Sequence, residues 1–163
     1  MSDPMNVLFI CTGNSARSII AEAILNREGE GKFKAYSAGA KPKGSVNPHA
    51  LQLLNAMHYP TDQLRSKSWD EFAGADAPKM DFIFTVCGDA AEETCPVWAG
   101  HPVTSVWSEP DPTKIGGSEA VQGEIYAEVY HMLNSRITAF INLPHASLSR
   151  MSMQEHVDGI GAG

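Results

Sequence analysis

One cysteine and one arginine, six positions apart, are the residues of this chain best suited to chemistry on an anion. They belong to the run Cys11-Thr12-Gly13-Asn14-Ser15-Ala16-Arg17-Ser18. An arginine guanidinium is a planar fork that matches two oxygens of a tetrahedral anion. A cysteine thiol, whose ordinary pKa is about 8.5, becomes a nucleophilic thiolate near cations and helix N-termini. We therefore expect Cys11 to attack an oxyanion held by Arg17, with Ser18 hydrogen-bonded to the sulfur.

This run lies where a strand is followed by a helix. Residues 5–10 form a short apolar run typical of a buried strand, and residues 16–28 carry apolar side chains at helical spacing. Successive backbone N–H groups in such a turn form a concave anion site, and the helix N-terminus adds its dipole. Gly13 permits the positive φ that such a turn commonly needs. The predicted oxyanion-binding residues are Thr12, Gly13, Asn14, Ser15, Ala16 and Arg17. The alternative is that Cys11 is only a small buried hydrophobic residue.

The remaining pattern alternates strands with helices. Strands are predicted over residues 33–38, 81–86 and 102–107, and helices from residue 48, after the cap Asn47, and over residues 118–141. This alternation predicts an α/β fold with a doubly wound parallel sheet. Ligands of such sheets bind beyond the carboxyl ends of the strands. Cys11, Cys87 and Asp111 all follow predicted strands, so we expect them at one edge of the sheet.

Length, composition and charge limit the possible classes of protein. A chain of 163 residues, 43% hydrophobic, suits one compact domain. We expect a single catalytic domain over residues 1–146 and a mobile tail over residues 147–163, which show no periodic pattern. The absence of a long apolar run or signal-like start predicts a cytoplasmic location. The net charge of -7 argues against nucleic acid and anionic membranes as partners, and requires local groups to attract any anion.

The segment VLFICTGNSARSIIAEA, Val7 to Ala23, resembles the signature of the low-molecular-weight protein tyrosine phosphatase superfamily. It is especially similar to the thioredoxin-coupled arsenate reductases of that superfamily. Ser37-Ala38-Gly39 and Val46-Asn47-Pro48 match as well. The resemblance implies three layers, with helices on both faces of a four-stranded parallel sheet. It also implies that Asp111 is the general acid that protonates a departing oxygen. The alternative for Asp111 is a turn residue, because Asp-Pro is a common turn pair.

Two further cysteines separate a reductase from a phosphatase. Cys87 and Cys95 lie in a segment that resembles the redox segment of the arsenate reductases, which ordinary phosphatases of the superfamily lack. The resemblance implies that Cys11 takes up arsenic, Cys87 releases arsenite as a disulfide forms, and Cys95 moves the disulfide outward. No bound cofactor is implied, but an external thiol reductant is: thioredoxin, or glutaredoxin with glutathione. Without the resemblance, Cys87 is equally well a core thiol at the end of a buried strand.

The expected substrate is arsenate, with phosphate and sulfate as competing anions. Two other functions stay open. One is a low-molecular-weight protein tyrosine phosphatase that hydrolyses phosphoesters through a Cys11 phosphoenzyme. The other is a non-enzymatic domain that keeps the fold and binds a partner.

Some relatives bind potassium near this loop, and Asn14, Glu22 and Ser37 match that site. Ser68 stands where that site has an aspartate, so we expect no metal ion, and Glu22 then only anchors the first helix. The scattered histidines have no metal-ligand spacing. The tripeptide Arg65-Ser66-Lys67 is interpreted as a solvated turn rather than as added positive charge near the site.

Overall fold

A computed structural model of the protein describes residues 4–74, 76–86, 102–108, 112 and 116–162. Its strands are β1 (Met5–Cys11), β2 (Phe33–Gly39), β3 (Phe82–Thr85) and β4 (Val103–Val106). They form one parallel sheet in the order β2-β1-β3-β4. The α-helices are α1 (Arg17–Glu28), α2 (Pro48–Ala56), α3 (Glu119–Ile141) and α4 (Arg150–Ala162), and a 3-10 helix covers Trp69–Phe72. Within these described segments, no helix combines the length and the apolar character that a membrane crossing requires.

Local sequence explains where these elements begin. Asn47 caps α2 by accepting hydrogen bonds from the backbone N–H groups of His49 (2.8 Å) and Ala50 (3.4 Å), as predicted. Ser118 caps α3 by accepting from Val121 N at 3.3 Å. The central strand β1 is apolar without alternation and is buried on both faces, as parallel strands usually are.

Aromatic rings fix α3 on one face of the sheet. Phe140 of α3 meets Phe82 and Phe84 of β3 edge to face, with ring centroids 4.8 and 5.1 Å apart. Trp107 stacks on Phe84 at 3.8 Å. On the opposite face, Tyr36 of β2 contacts Phe72 of the 3-10 helix at 5.5 Å. The predicted α/β class and four-stranded parallel sheet, with helical segments on both faces, are confirmed.

The prediction of a mobile tail is wrong for residues 150–162, which form α4. This helix packs on β4, where Trp107 Nε1 donates to Val157 O at 2.9 Å and Ser105 Oγ to Asp158 Oδ1 at 2.6 Å. Val157 is fully buried and Met153 is 5% exposed. The helix therefore belongs to the same hydrophobic core as the sheet.

Candidate oxyanion site

The loop from Cys11 to Arg17 lies at the carboxyl edge of the central strand. Cys11 is the last residue of β1 and Arg17 is the first residue of α1. Both are buried, with 4% and 9% of their surfaces exposed. The predicted junction of strand, loop and helix is therefore present, and it brings the thiol and the guanidinium to the two ends of one short turn.

The carbonyl groups of the loop are hydrogen-bonded away from its centre. Thr12 O accepts from Lys41 N (2.8 Å), Gly13 O from Lys43 N (3.0 Å) and Ser15 O from Asn47 N (2.8 Å). In a planar trans peptide, the carbonyl and the following N–H point in opposite directions. The N–H groups that follow these three carbonyls therefore point towards the other side of the loop. Such convergence of backbone N–H groups creates an anion-binding concavity.

Asn14, not Gly13, adopts the left-handed conformation, with φ of 45°. The positive φ of the turn therefore lies one residue after Gly13, the residue that the sequence indicated for it. Asn14 is fully buried, and both ends of its amide are used. Its Nδ2 donates to Ser18 Oγ at 2.8 Å, and its Oδ1 accepts from Lys67 N at 2.8 Å. These bonds stabilise a conformation that asparagine tolerates better than most residues.

Gly39, at the end of β2, lets the loop approach the sheet closely. A Cβ at this position would lie 2.7 Å from Thr12 O and 2.9 Å from both Cys11 O and Asn14 Cβ. Those distances leave no room for a side chain. Gly39 matches the family in the sequence, but no local signal identifies this contact.

The N-terminus of α1 faces the loop without a side-chain cap. Its N-cap is Ala16, whose methyl group accepts no hydrogen bond. The first N–H groups of a helix need acceptors and carry partial positive charge, so an anion is a suitable partner. Together with Arg17, this terminus makes the loop a positive site in an acidic protein.

The residues matched to a potassium site hold a lysine instead. Lys67 Nζ lies 3.7 Å from Glu22 Oε1 and donates to Ser37 Oγ at 3.3 Å. Burial raises the pKa of Glu22, and the charge of Lys67 opposes this rise. Ser68 Oγ caps the 3-10 helix by accepting from Asp70 N at 3.1 Å. The carboxylate and the hydroxyl that match that site therefore already have a cationic partner in Lys67.

The tripeptide at residues 65–67 is therefore not simply a solvated turn. Arg65 is exposed and forms a bidentate pair with Glu71, at 3.0 and 2.6 Å, which fits the prediction. Lys67, however, is only 8% exposed. The sequence could not reveal this burial, because Glu22 is 45 positions away.

Cys87, Cys95 and Asp111 lie outside the described residues. The residues that end the two predicted strands before them, Val86 and Trp107, are described. Val86 N donates to Ile10 O at 2.8 Å, and Trp107 N donates to Thr85 O at 2.7 Å. The residue before Cys87 is thus adjacent to the residue before Cys11, at the carboxyl edge of the sheet.

Comparisons with known proteins give the family and its fold. The family model for low molecular weight phosphotyrosine protein phosphatase matches residues 6–154. An arsenate reductase of Oceanobacillus iheyensis is 31% identical over 138 residues, which cover 82% of this chain and 93% of that protein. The crystal structure of an Archaeoglobus fulgidus arsenate reductase is 28% identical, with a TM-score of 0.59 over 81% of this chain and 98% of the other. A thioredoxin-dependent arsenate reductase of Corynebacterium glutamicum, 23% identical, shares the fold with a TM-score of 0.60 over 87% of this chain and 64% of the other. The resemblance predicted from the sequence is confirmed.

Proposed function

The chain belongs to the low molecular weight phosphotyrosine protein phosphatase family, and we propose that it is an arsenate reductase. The observation that carries the proposal is the loop from Cys11 to Arg17, whose outward carbonyls and helix N-terminus suit a tetrahedral oxyanion. The name of the Oceanobacillus relative supports arsenate as that oxyanion. Phosphate and sulfate, which have the same shape, compete for the loop.

In the first step, Cys11 attacks arsenic while the loop N–H groups and Arg17 hold the arsenate oxygens. A sulfur–arsenic bond forms and an arsenic–oxygen bond breaks. Asp111 donates a proton to the departing oxygen, which leaves as water. Ser18 Oγ already accepts from Asn14 Nδ2, so its own proton is available to donate to the sulfur.

In the second step, the Cys87 thiolate attacks the Cys11 sulfur. A disulfide forms and the electron pair of the sulfur–arsenic bond stays on arsenic, so arsenic(V) becomes arsenic(III) and leaves as arsenite. Cys95 then attacks Cys87 by thiol–disulfide exchange and releases Cys11 as a thiolate. Thioredoxin, or glutaredoxin with glutathione, reduces the Cys87–Cys95 disulfide. The backbone hydrogen bond from Val86 N to Ile10 O supports the attack of Cys87 on Cys11, because these two residues directly precede the two cysteines.

The name of the family supports a second candidate, hydrolysis of phosphoesters through a phosphorylated Cys11. That reaction needs the loop and a general acid, but water takes the place of the second thiol. Cys87 and Cys95 would then have no part in turnover. The two candidates therefore differ in what they require of these cysteines.

Mass spectrometry of the cysteines after arsenate treatment tests the proposal. In the wild-type protein we expect arsenite release, a Cys87–Cys95 disulfide and a reduced Cys11. Cys87→Ser should stop with arsenic still on Cys11, since no thiol attacks it. Cys95→Ser should complete one turnover and accumulate a Cys11–Cys87 disulfide.

The control is Cys11→Ser, which should show no adduct and no disulfide, because a serine hydroxyl is too weak an acid to ionise here. Hydrolysis of an aryl phosphate is measured on the same variants. If all three thiols stay reduced and no arsenite appears, the reductase proposal is wrong. Hydrolysis that persists in Cys87→Ser and Cys95→Ser would then favour the phosphatase.

A further inference from the structure

A buried ion pair lies directly behind the loop, and the proposed chemistry does not use it. We call it the lysine cluster: Glu22 of α1, Ser37 of β2 and Lys67. Glu22 and Lys67 are 6% and 8% exposed, and Ser37 is fully buried. Placing a carboxylate and an ammonium group in the protein interior is costly unless each compensates the other. The cluster therefore calls for a reason beyond packing.

The hydrogen bonds of the cluster define the charges it holds. Ser37 Oγ donates to Glu22 Oε1 at 2.6 Å and accepts from Lys67 Nζ at 3.3 Å. The same Nζ donates to Arg65 O at 2.9 Å. Burial raises the pKa of Glu22 and lowers the pKa of Lys67, and the charge of each partner opposes the shift of the other. A carboxylate accepts and an ammonium donates, so the hydrogen bonds are those of a charged pair. Removing either charge would leave the other buried without compensation.

The backbone of Lys67 ties the cluster to the loop. Lys67 N donates to Asn14 Oδ1 at 2.8 Å, and Lys67 O accepts from Gly39 N at 2.9 Å. Asn14 is the residue that holds the left-handed turn, and its Nδ2 contacts Ser18. Moving the Lys67 side chain would therefore shift the residue that fixes both Asn14 and the end of β2.

We propose that Lys67 is a positioning residue whose ammonium group acts as a built-in cation, holding Asn14 and the oxyanion loop in place through Glu22 and Ser37. The chain then needs no dissolved monovalent cation to order this loop. This is the physical reason why the residues matched to a potassium site do not fit that ion. The inference concerns the oxyanion loop and is independent of whether arsenate is the substrate.

Solvent has a route to the cluster. A cavity of about 430 Å³ beside it is lined by Glu22 and Lys67 together with Lys34, Tyr36, Arg65 and Glu71. If the ammonium group were removed, a small cation from solution would therefore be able to reach Glu22. Potassium has the charge of an ammonium group and a similar size, whereas choline is too bulky to replace it.

The experiment uses Lys67→Met, which keeps an unbranched side chain and removes the charge. Melting temperature and the Kd for inorganic phosphate are measured in potassium chloride and in choline chloride of equal ionic strength. For the wild-type protein we expect the same values in both salts. The variant should melt lower in choline chloride and bind phosphate about tenfold more weakly or worse, the effect of misplacing one charge-assisted hydrogen bond. Potassium should restore both.

Two further variants make the result specific. Lys34→Met removes an exposed lysine from the same cavity and should behave like the wild-type protein in both salts. In Glu22→Gln/Lys67→Met, no charge is left to compensate, so this variant should fold and should not respond to potassium. If Lys67→Met fails to fold in either salt, recovery of folding in the double variant supports the inference, and failure of both overturns it. The inference is also overturned if potassium changes the melting temperature and the phosphate Kd of the wild-type protein as much as those of Lys67→Met. It is likewise overturned if potassium changes neither value in Lys67→Met.

Neither readout depends on arsenate turnover. Failure of this inference therefore leaves the proposed reductase untouched. If the reductase proposal is wrong, the salt dependence of phosphate binding still tests the role of Lys67.

Discussion

The guanidinium group of Arg17 is the part of the loop that another cationic side chain is least able to replace. It is the first residue of α1 and is 9% exposed, so its guanidinium is packed within the protein. We expect Arg17→Lys to weaken phosphate binding about 10- to 100-fold. An ammonium group cannot make the bidentate contact, and a hydrogen bond to a charged group contributes about 1.5–3 kcal/mol. Titration calorimetry with inorganic phosphate measures the change.

Arg27→Lys, at the other end of the same helix, is the matched control. Arg27 Nη1 donates to Met57 O at 3.0 Å, and its guanidinium lies 3.5 Å from the centroid of the Tyr59 ring. Its replacement should lower the melting temperature and leave the phosphate Kd unchanged. Equal phosphate affinity in both variants and the wild-type protein would mean that Arg17 does not bind the anion.

At the scale of single residues, the sequence predicts the parts of the site that depend on nearby positions. The placement of Cys11 and Arg17 at the two ends of one turn was predictable, because an apolar strand and a helical spacing fix that turn. The left-handed Asn14 was not, because it depends on a hydrogen bond from Lys67, 53 positions away. Gly39 was missed as a contact for a similar reason, since only the pairing of β1 with β2 brings it against Cys11. Long-range contacts of this kind leave no local pattern.

At the scale of elements, the four strands and the helices α1 and α3 agree with the sequence prediction to within one residue at each end, and α2 begins at the predicted residue. Their apolar patterns are clear in the sequence, because each helix buries an apolar stripe and each central strand is buried on both faces. The helix α4 was missed, since glycines at 159 and 161 lower its intrinsic helix propensity. Contacts with β4 compensate: besides the bonds from Trp107 and Ser105, Gln154 Nε2 donates to Thr104 O at 2.6 Å. Tertiary contacts, not local propensity, stabilise this helix.

Gly161 is the position of α4 where this packing can be tested. A Cβ there would lie 2.5 Å from Val106 O and 2.7 Å from Trp107 Cδ1. We expect Gly161→Ala to lower the free energy of unfolding by about 1–3 kcal/mol, the usual cost of overpacking. Urea denaturation followed by circular dichroism measures it.

Gly159→Ala, two positions earlier in α4, is the control. A Cβ on Gly159 would meet no atom within 4 Å, so alanine should raise the free energy of unfolding by about 0.5–1 kcal/mol through helix propensity. Opposite signs at the two glycines are the expected result. If both substitutions stabilise the protein, the end of α4 does not lie against β4.

At the scale of the whole molecule, charge is distributed unevenly. The chain carries a net charge of -7, yet Lys41 and Lys43 are hydrogen-bonded to the loop through their backbones. The side chain of Lys43 passes beside Gly13, where a Cβ would lie 3.2 Å from Lys43 Cε. Neighbouring charges dominate the potential at a site, so the loop can attract an anion despite the acidic surface. The sequence predicted that Arg17, the loop N–H groups and the helix N-terminus must do this, but it did not identify Lys43 beside the loop.

The opposite end of the sheet holds a histidine whose protonation opposes folding. His145 packs against Phe33, Phe82 and Phe140, with ring centroids 5.0, 5.8 and 4.9 Å apart. Its Nε2 donates to Phe140 O at 2.7 Å, and its buried Nδ1 has no hydrogen-bond partner among the described residues. Burial lowers the pKa of His145, the hydrogen bond to Phe140 O opposes this shift, and the charge of Lys32 adds to it. The folded protein therefore favours the neutral imidazole.

This lowered pKa predicts a loss of stability in acid. Between the folded pKa and the unfolded value of about 6.5, the unfolded chain binds the proton more tightly, so the free energy of unfolding falls as the pH falls. One such group contributes at most about 1.4 kcal/mol per pH unit. His145→Phe keeps an aromatic ring in the cluster and cannot be protonated. We expect wild-type and variant unfolding curves, measured in urea from pH 8 to pH 5, to differ in slope with pH below about 6.5. The wild-type protein should lose stability more steeply, while carboxylates elsewhere affect both proteins alike. Parallel pH dependences would mean that His145 titrates equally in the folded and unfolded chains, contrary to its burial.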